Sequence, residues 1–485
     1  MRIKTTAAAL TVMMGLGVLS ACSGTTDETT DTAADEITWA SCGEQLECAT
    51  IAVPLTADDP DGETVDIAVT KLLATGDSHK ALFFNPGGPG ASGTATVEQA
   101  GTSLISPTLR EQYDLIGFDP RGVGKSGTVV CLDDAARDAA NYPTDPGAVD
   151  LEAQAREMAE ACAAHSGDLL PSISTITAAH DLDALREALG EDTLDYFGVS
   201  YGTTLGSTYA ELFPERVGRM VLDSATDLDL STAEMTAAQA VGFENALRAY
   251  VASTEGTADA PFTGTTEEAM AGIRDLITTL DAEPMIAGDG RAVSGYVVRT
   301  AIMFAMYSER MWPTLTVALN QLRDGSPDTI LQLADALNQR SGGTYVDTAL
   351  DPDALLAYNC MDVPAASAEQ IAAANAEIAE NAPTLGSPLD LAADPCSYWS
   401  VETTPLPEID AAGAAPIVVI GSTNDPATPY AWSAAMAEDI ESSIHLTRVG
   451  EGHGAYNVGN DCITEAVDAY LIDGTAPADG LTCEA

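Results

Sequence analysis

Residues 194–203 restrict this chain more than any other stretch. Leu194-Asp195-Tyr196-Phe197 is a short, mostly apolar run, and Gly198-Val199-Ser200-Tyr201-Gly202 follows it without a break. The run reads as a buried strand, and the Gly-x-Ser-x-Gly pattern as an abrupt turn into a helix. A serine on such a turn has a strained backbone, and the residues two positions to either side must be small if strand and helix are to come close. The free N–H groups of the first helical turn then point at the serine, where they can stabilise negative charge. A glycine-flanked serine in an ordinary loop fits the same five letters, so the meaning of Ser200 depends on the rest of the chain.

Upstream, Thr50-Ile51-Ala52-Val53 and residues 65–73 read as an opening hairpin around the polar turn at 58–62. Ala81-Leu82-Phe83-Phe84 is a strand that runs into Asn85-Pro86-Gly87-Gly88-Pro89-Gly90. Residues 114–118 form another, ending in Asp119-Pro120-Arg121-Gly122-Val123-Gly124-Lys125-Ser126. Helices are expected over 151–164 and 178–189, the second with Thr177 as its N-cap and Gly190 as its stop signal. Beyond the turn at Ser200, residues 203–213 read as a helix ended by Pro214, and 217–222 as the next strand. Strands alternating with helices imply an α/β fold, a mostly parallel sheet covered on both faces.

The alternation stops at residue 228. Helical spacing then dominates, over 231–253, 265–280, 295–306, 312–322, 330–338 and 368–380, with no run of strands. Pro405, Pro407 and the Ala/Gly-rich stretch at 411–415 mark the end of this region. Strand character returns at 416–421 and 444–449, and 461–473 reads as a closing helix. A chain of 485 residues, 46% of them hydrophobic, is large enough for a sheet-based core and an inserted helical domain. The expected division is core at 37–227, helical cap at 228–405 and core again at 406–485. No internal repeat is visible.

Charge excludes some partners. Lys and Arg number 20 against 74 Asp and Glu, a net charge of −54. Phosphate contacts need a basic face, and so does electrostatic binding to anionic lipid; neither nucleic acid nor a polybasic membrane contact fits. A solvated acidic surface does. The N-terminus is different. Arg2 and Lys4 precede an apolar run over 7–19 that is too short for a bilayer span and suits an export signal. It ends in Leu19-Ser20-Ala21-Cys22, which resembles the bacterial lipobox. Such a signal is cut before the cysteine, which receives a lipid. The expectation is a signal peptide at 1–21, a lipid on Cys22, and a flexible Thr/Asp/Ala-rich tether at 22–36. Contact with the membrane is expected through that lipid alone.

Without Cys22, eight cysteines remain, an even number in a chain expected to be exported, which points to disulfides. Many pairings are open. Proximity in the sequence favours Cys42–Cys48, Cys131–Cys162, Cys360–Cys396 and Cys462–Cys483. No C-x-x-C pair occurs and the histidines do not cluster with the cysteines, so neither a metal site nor a cofactor is expected.

A nucleophilic serine needs a base within hydrogen-bonding reach and a carboxylate to orient that base. Of five histidines, His79 lies in a polar turn, His165 in a Ser-Gly-Asp loop, His180 on a helix and His445 within a strand. His453 sits in Gly450-Glu451-Gly452-His453-Gly454, a flexible loop directly after a strand, where an imidazole can be presented at a sheet edge. Asp425, in the loop that leaves the 416–421 strand, is the carboxylate candidate; Asp223, which ends the strand after the elbow, is its competitor. The order Ser200, Asp425, His453 is the order of the α/β-hydrolases. Two backbone N–H groups must stabilise an oxyanion. Tyr201 supplies one. The loop at 85–90 supplies the other, with Gly88 favoured and Gly87 next. That loop lacks the Gly-Lys-Ser/Thr ending of a phosphate-binding loop.

Taken together, Gly-Gly-Pro-Gly at 87–90, Gly-Phe-Asp-Pro-Arg-Gly-Val-Gly-Lys-Ser at 117–126, Gly-Val-Ser-Tyr-Gly at 198–202, Asp-Pro-Ala-Thr-Pro at 425–429 and Gly-His-Gly at 452–454 resemble the proline iminopeptidase/tripeptidyl aminopeptidase group of α/β-hydrolases, in its exported bacterial branch. Tyr307-Ser308 with Trp312-Pro313, Cys360-Met361-Asp362, Cys396–Trp399 and Tyr470-Leu471-Ile472-Asp473-Gly474 look like the same branch. Asn85 departs from the group, where iminopeptidases usually carry histidine. The resemblance implies a serine exopeptidase acting on peptides with a free N-terminus, through an acyl-enzyme on Ser200, with His453 as base, Asp425 as its support, and a helical cap whose carboxylates hold the substrate's α-amino group. Asp227, Glu244 and Asp362 are the candidates for that last role. A monomer is expected. An esterase or amide hydrolase acting on small molecules would use the same triad.

Overall fold

The computed structural model describes residues 37–484 apart from 57, 58, 60, 144, 146, 147, 346–349 and 387–393. The expected signal peptide, Cys22 and tether lie outside the described residues. The strands are β1 Ala40–Gly43, β2 Leu46–Pro54, β3 Thr64–Leu72, β4 Lys80–Asn85, β5 Tyr113–Phe118, β6 Leu194–Val199, β7 Val217–Asp223, β8 Met285–Ile286, β9 Ala292–Val293, β10 Arg340–Ser341, β11 Thr344–Tyr345, β12 Ile417–Asn424, β13 Ser443–Glu451 and β14 Leu481–Cys483. Ten of them form one sheet in the order β1-β2-β3-β5-β4-β6-β7-β12-β13-β14. The first three are antiparallel to their neighbours. From β5 onward every pairing is parallel.

Side-chain alternation along the strands builds two cores, one on each face. In β4, Ala81 and Phe83 join one cluster while Leu82 and Phe84 join the other. In β12, Ile417 and Val419 face one way and Val418 and Ile420 the other. Such double-sided burial is what a parallel sheet wrapped by helices requires. Helices Thr175–Ala188 and Tyr201–Leu212 cover the first face, and Gly93–Leu104 and Asp461–Asp473 the second. The fold is the α/β-hydrolase fold.

Between β7 and β12 the chain is helical, as the spacing implies, with only two two-residue hairpins, β8–β9 and β10–β11, among the described residues. Helices Thr232–Thr254, Thr266–Ala282, Gly295–Met306, Trp312–Arg323 and Asp328–Leu337 surround a third apolar core. Residues 37–485 nevertheless form one compact unit. This region meets the loop after β4, where the Asp351 N–H donates to the Gly90 carbonyl at 2.9 Å, and the loop after β5, where the Tyr358 hydroxyl donates to the Arg121 carbonyl at 3.0 Å. It also meets the loops that leave β12 and β13.

Several elements differ from their sequence reading. Ser174, not Thr177, caps helix Thr175–Ala188: its hydroxyl accepts the Thr177 N–H. Helix Gly93–Leu104 is masked in the sequence by its glycines and threonines. Those glycines serve packing, since a Cβ on Gly93 would lie 2.3 Å from the Phe118 carbonyl oxygen. Helix Pro352–Asp362, which starts on a proline, and helix Tyr430–Asp439, which follows Pro429, lie in stretches to which the sequence reading assigns no element, and β14 is too short for periodicity to reveal. The four disulfides are Cys42–Cys48, Cys131–Cys162, Cys360–Cys396 and Cys462–Cys483.

Candidate active site

Ser200 directly follows β6 with φ 58° and ψ −125°, in the left-handed half of the map that a serine rarely occupies, and helix Tyr201–Leu212 starts immediately after it. The flanking glycines are required by contact. A Cβ on Gly198 would lie 2.3 Å from the Gly202 carbonyl oxygen, and one on Gly202 would lie 2.7 Å from that of Asn85. The Ser200 N–H is tied to the Asp223 carbonyl at 3.0 Å. As the first residue of the helix, Tyr201 has an N–H with no carbonyl one turn back to receive it.

The loop after β4 reaches the same place. Gly87 has φ +101° and packs so tightly that a Cβ on it would lie 2.9 Å from Ser200 Cβ and 3.2 Å from the Tyr201 nitrogen. Its N–H is already spent on Asn85 Oδ1 at 2.9 Å. The N–H of Gly88 has no hydrogen-bond acceptor among the described residues. Asn85 is fully buried, and its Nδ2 has no partner among them.

His453 and Asp425 are brought together. The imidazole Nδ1 lies 2.9 Å from each carboxylate oxygen of Asp425. Asp425 is buried and also accepts the N–H groups of Ala427 and Thr428 at 2.9 and 3.0 Å and the hydroxyl of Ser224 at 2.8 Å. Burial opposes the charge on Asp425, but His453, by charge and hydrogen bond, together with these donors outweighs it and holds the carboxyl below the usual range. Burial likewise opposes protonation of His453, yet Asp425 and the more distant Asp223 prevail and raise its pKa above the usual histidine value.

Residues 223 and 224 join the three loops, a role that nothing in their sequence context signals. The Asp223 carbonyl holds Ser200, and its carboxylate accepts the N–H groups of Ala455 at 3.0 Å and Tyr456 at 2.9 Å, just beyond His453. Ser224 donates to Asp425 and accepts the Gly454 N–H at 2.8 Å. Asp223 thus braces the histidine loop, while the imidazole itself bonds to Asp425. Asn424 and Glu451, one on each strand below the two loops, are also hydrogen-bonded to each other.

The three carboxylates considered for an amine differ in what they have left to offer. Buried Glu244 accepts the N–H groups of Thr384 and Leu385 at 3.0 and 3.1 Å and the Thr384 hydroxyl at 2.7 Å. Buried Asp362 accepts the N–H and hydroxyl of Thr175 at 2.9 and 2.7 Å, and that hydroxyl lies 2.6 Å from the Tyr201 phenol. Burial pushes Asp362 up to about 7. Half-buried Asp227 accepts one bond, from the Asp229 N–H, and follows Thr226, which is tied to Thr203 on the elbow helix.

A family profile described as alpha/beta hydrolase fold matches residues 80–268, and one described as TAP-like protein matches residues 382–483. The chain is 36% identical to serine protease Hip1 of Mycobacterium tuberculosis over 90% of its own length and 87% of that protein. It is 35% identical to carboxylesterase B of the same species, over 93% and 90% of the two chains. It is 30% identical to the tripeptidyl aminopeptidase of Streptomyces lividans, over 92% and 86%. Motifs, fold and full-length similarity agree: the chain is a serine hydrolase of the α/β-hydrolase family, in the proline iminopeptidase/tripeptidyl aminopeptidase group.

Proposed function

We propose that this enzyme is an extracytoplasmic serine exopeptidase that cuts peptides near a free N-terminus and releases tripeptides. The observation that carries the mechanism is the His453–Asp425 pair, held at the carboxyl ends of β13 and β12 and joined through Asp223 and Ser224 to the strained Ser200. In this reading the Ser200 hydroxyl attacks the scissile carbonyl while His453 takes its proton; the imidazolium, supported by Asp425, then gives that proton to the leaving amine. Water hydrolyses the acyl-enzyme by the same route in reverse. The N–H groups of Gly88 and Tyr201 receive the oxyanion.

The helices at 228–405 act as a cap that admits chain ends. Of the three acidic candidates, Asp227 keeps a free oxygen for an α-amino group, whereas Glu244 and Asp362 already serve protein donors. Export and a lipid on Cys22 rest on the N-terminal pattern. No helix among the described residues is long and apolar enough to cross a membrane.

A second reading, a small-molecule esterase, draws support from the similarity to carboxylesterase B. One panel separates them: a tripeptide amide with a free amine, its N-acetylated form and a short acyl ester. Turnover of the free-amine peptide, with loss on acetylation, is expected. Cleavage of the ester alone would overturn the peptidase reading, and full activity in Ser200→Ala would overturn the mechanism.

A further inference from the structure

Tyr307 belongs to the helical region, where it follows helix Gly295–Met306, yet it meets the histidine loop twice. Its carbonyl accepts the His453 N–H at 2.9 Å. Its ring stands edge-on to the imidazole, with centroids 5.5 Å apart and planes at 88°. The fit is close: a Cβ on Gly452 would lie 2.9 Å from the Tyr307 carbonyl oxygen. Phe243, from helix Thr232–Thr254, backs the Tyr307 ring at 5.5 Å. The same helix also holds the acid loop. Gln239 Nε2 donates to the Ala427 carbonyl at 2.9 Å, and a Cβ on Gly242 would lie 2.5 Å from the Pro426 oxygen.

We propose that Tyr307 is a positioning residue for His453, so that the helical region is part of the machinery that activates Ser200 and not only a cover over it. The inference rests on His453 being the base. The backbone contact fixes where the imidazole starts. The aromatic ring packed against the imidazole blocks any swing of that ring toward Tyr307. A base held in one orientation keeps the serine proton within reach, and loss of that orientation lowers the rate without altering how substrate binds. The phenol hydroxyl makes no hydrogen bond among the described residues, so the ring, not the hydroxyl, carries the effect.

The test compares Tyr307→Phe, Tyr307→Ala and His453→Ala in the otherwise unaltered protein. It measures the rate at which a fluorophosphonate labels Ser200, together with kcat and KM on the tripeptide amide and the ester. Labelling does not depend on whether the natural substrate is a peptide or an ester. The Tyr307→Phe variant is expected to label within about twofold of wild type, and the alanine variant about tenfold more slowly, with kcat reduced in parallel and KM little changed. If the alanine variant does not fold, Tyr307→Leu fills the space without the aromatic edge and is expected to be slow as well. Wild-type labelling in the alanine or leucine variant, or equal loss in the phenylalanine variant, would overturn the role of Tyr307. Wild-type labelling in His453→Ala would instead overturn the triad reading itself.

Discussion

The N–H of Gly87 donates to the side-chain oxygen of Asn85, and the neighbouring N–H of Gly88 has no acceptor among the described residues. Asn85 therefore turns one of two successive glycine donors inward and leaves the other, the donor proposed to receive the oxyanion, unengaged. Asn85→Ala is expected to lower kcat about 10- to 100-fold with little change in KM, approaching the loss of an oxyanion donor. Folding should suffer less, by about 1 kcal/mol, because the alanine also removes the unpartnered buried Nδ2. Asn85→Asp keeps an acceptor for Gly87 but sets a negative charge beside the developing oxyanion, and it too should be slow. Steady-state kinetics and thermal unfolding of both variants check this; wild-type kcat in the alanine variant would mean that the loop holds itself.

As the proposed base, His453 can take a proton only when neutral. Its pKa is raised, so the acid limb of kcat/KM against pH should lie above the usual histidine value of 6.5. Asp425 is the chief cause of the rise and burial opposes it. In Asp425→Asn the residual activity should therefore show its acid limb at lower pH than wild type. A wild-type limb at or below the ordinary histidine value would count against the tight His453–Asp425 pair.

What the sequence reveals about this site and what it hides divide along a physical line. Ser200, Asp425 and His453 stand out because each leaves an apolar strand through a short loop, and strand ends are where local pattern is strongest. The glycines at 87, 88, 198 and 202 stand out because only a missing side chain permits the approach. Ser224 and Tyr307 meet Asp425 and His453 from segments far away in the chain, and no periodicity marks such a contact. Asn85 acts two residues away, on the Gly87 N–H, and a single local hydrogen bond of that kind leaves no periodic trace either. Ser174 and Thr177 show the same limit on a small scale. Both are good capping residues three positions apart, and the choice between them is made by packing, not propensity. Helix Tyr430–Asp439 is invisible for a related reason: its start is set by Pro429 and by the Asp425 loop it follows.

Asp223 and Asp425 compete for one role in the sequence, and their hydrogen bonds differ: Asp425 holds the imidazole, Asp223 the backbone of the loop beyond it. Removing charge from Asp425 leaves His453 unsupported, and kcat of Asp425→Asn should fall about 10⁴-fold with the fold intact. Asp223→Asn loses part of the acceptor pair for Ala455 and Tyr456, so its main expected effect is on the loop: a lower Tm and a kcat reduced by about tenfold. Measuring kcat and Tm for both variants gives the ranking. The reverse order, with Asp223→Asn the deader enzyme at unchanged Tm, would make Asp223 the orienting acid.

Asp362 gives stability a pH dependence of its own. Burial raises its pKa from 3.8 to about 7, against the pull of the two bonds from Thr175. A carboxyl whose folded pKa exceeds its unfolded value binds its proton more tightly in the native state. Its contribution to stability is complete below the unfolded value and declines as pH rises through the interval up to the folded one. Asp362→Asn cannot ionise, and its carboxamide can still accept the Thr175 N–H. The Tm of the variant relative to wild type should therefore rise between about pH 4 and about pH 7. A constant difference across that range would mean that Asp362 is ionised throughout, and that the bonds from Thr175 outweigh burial.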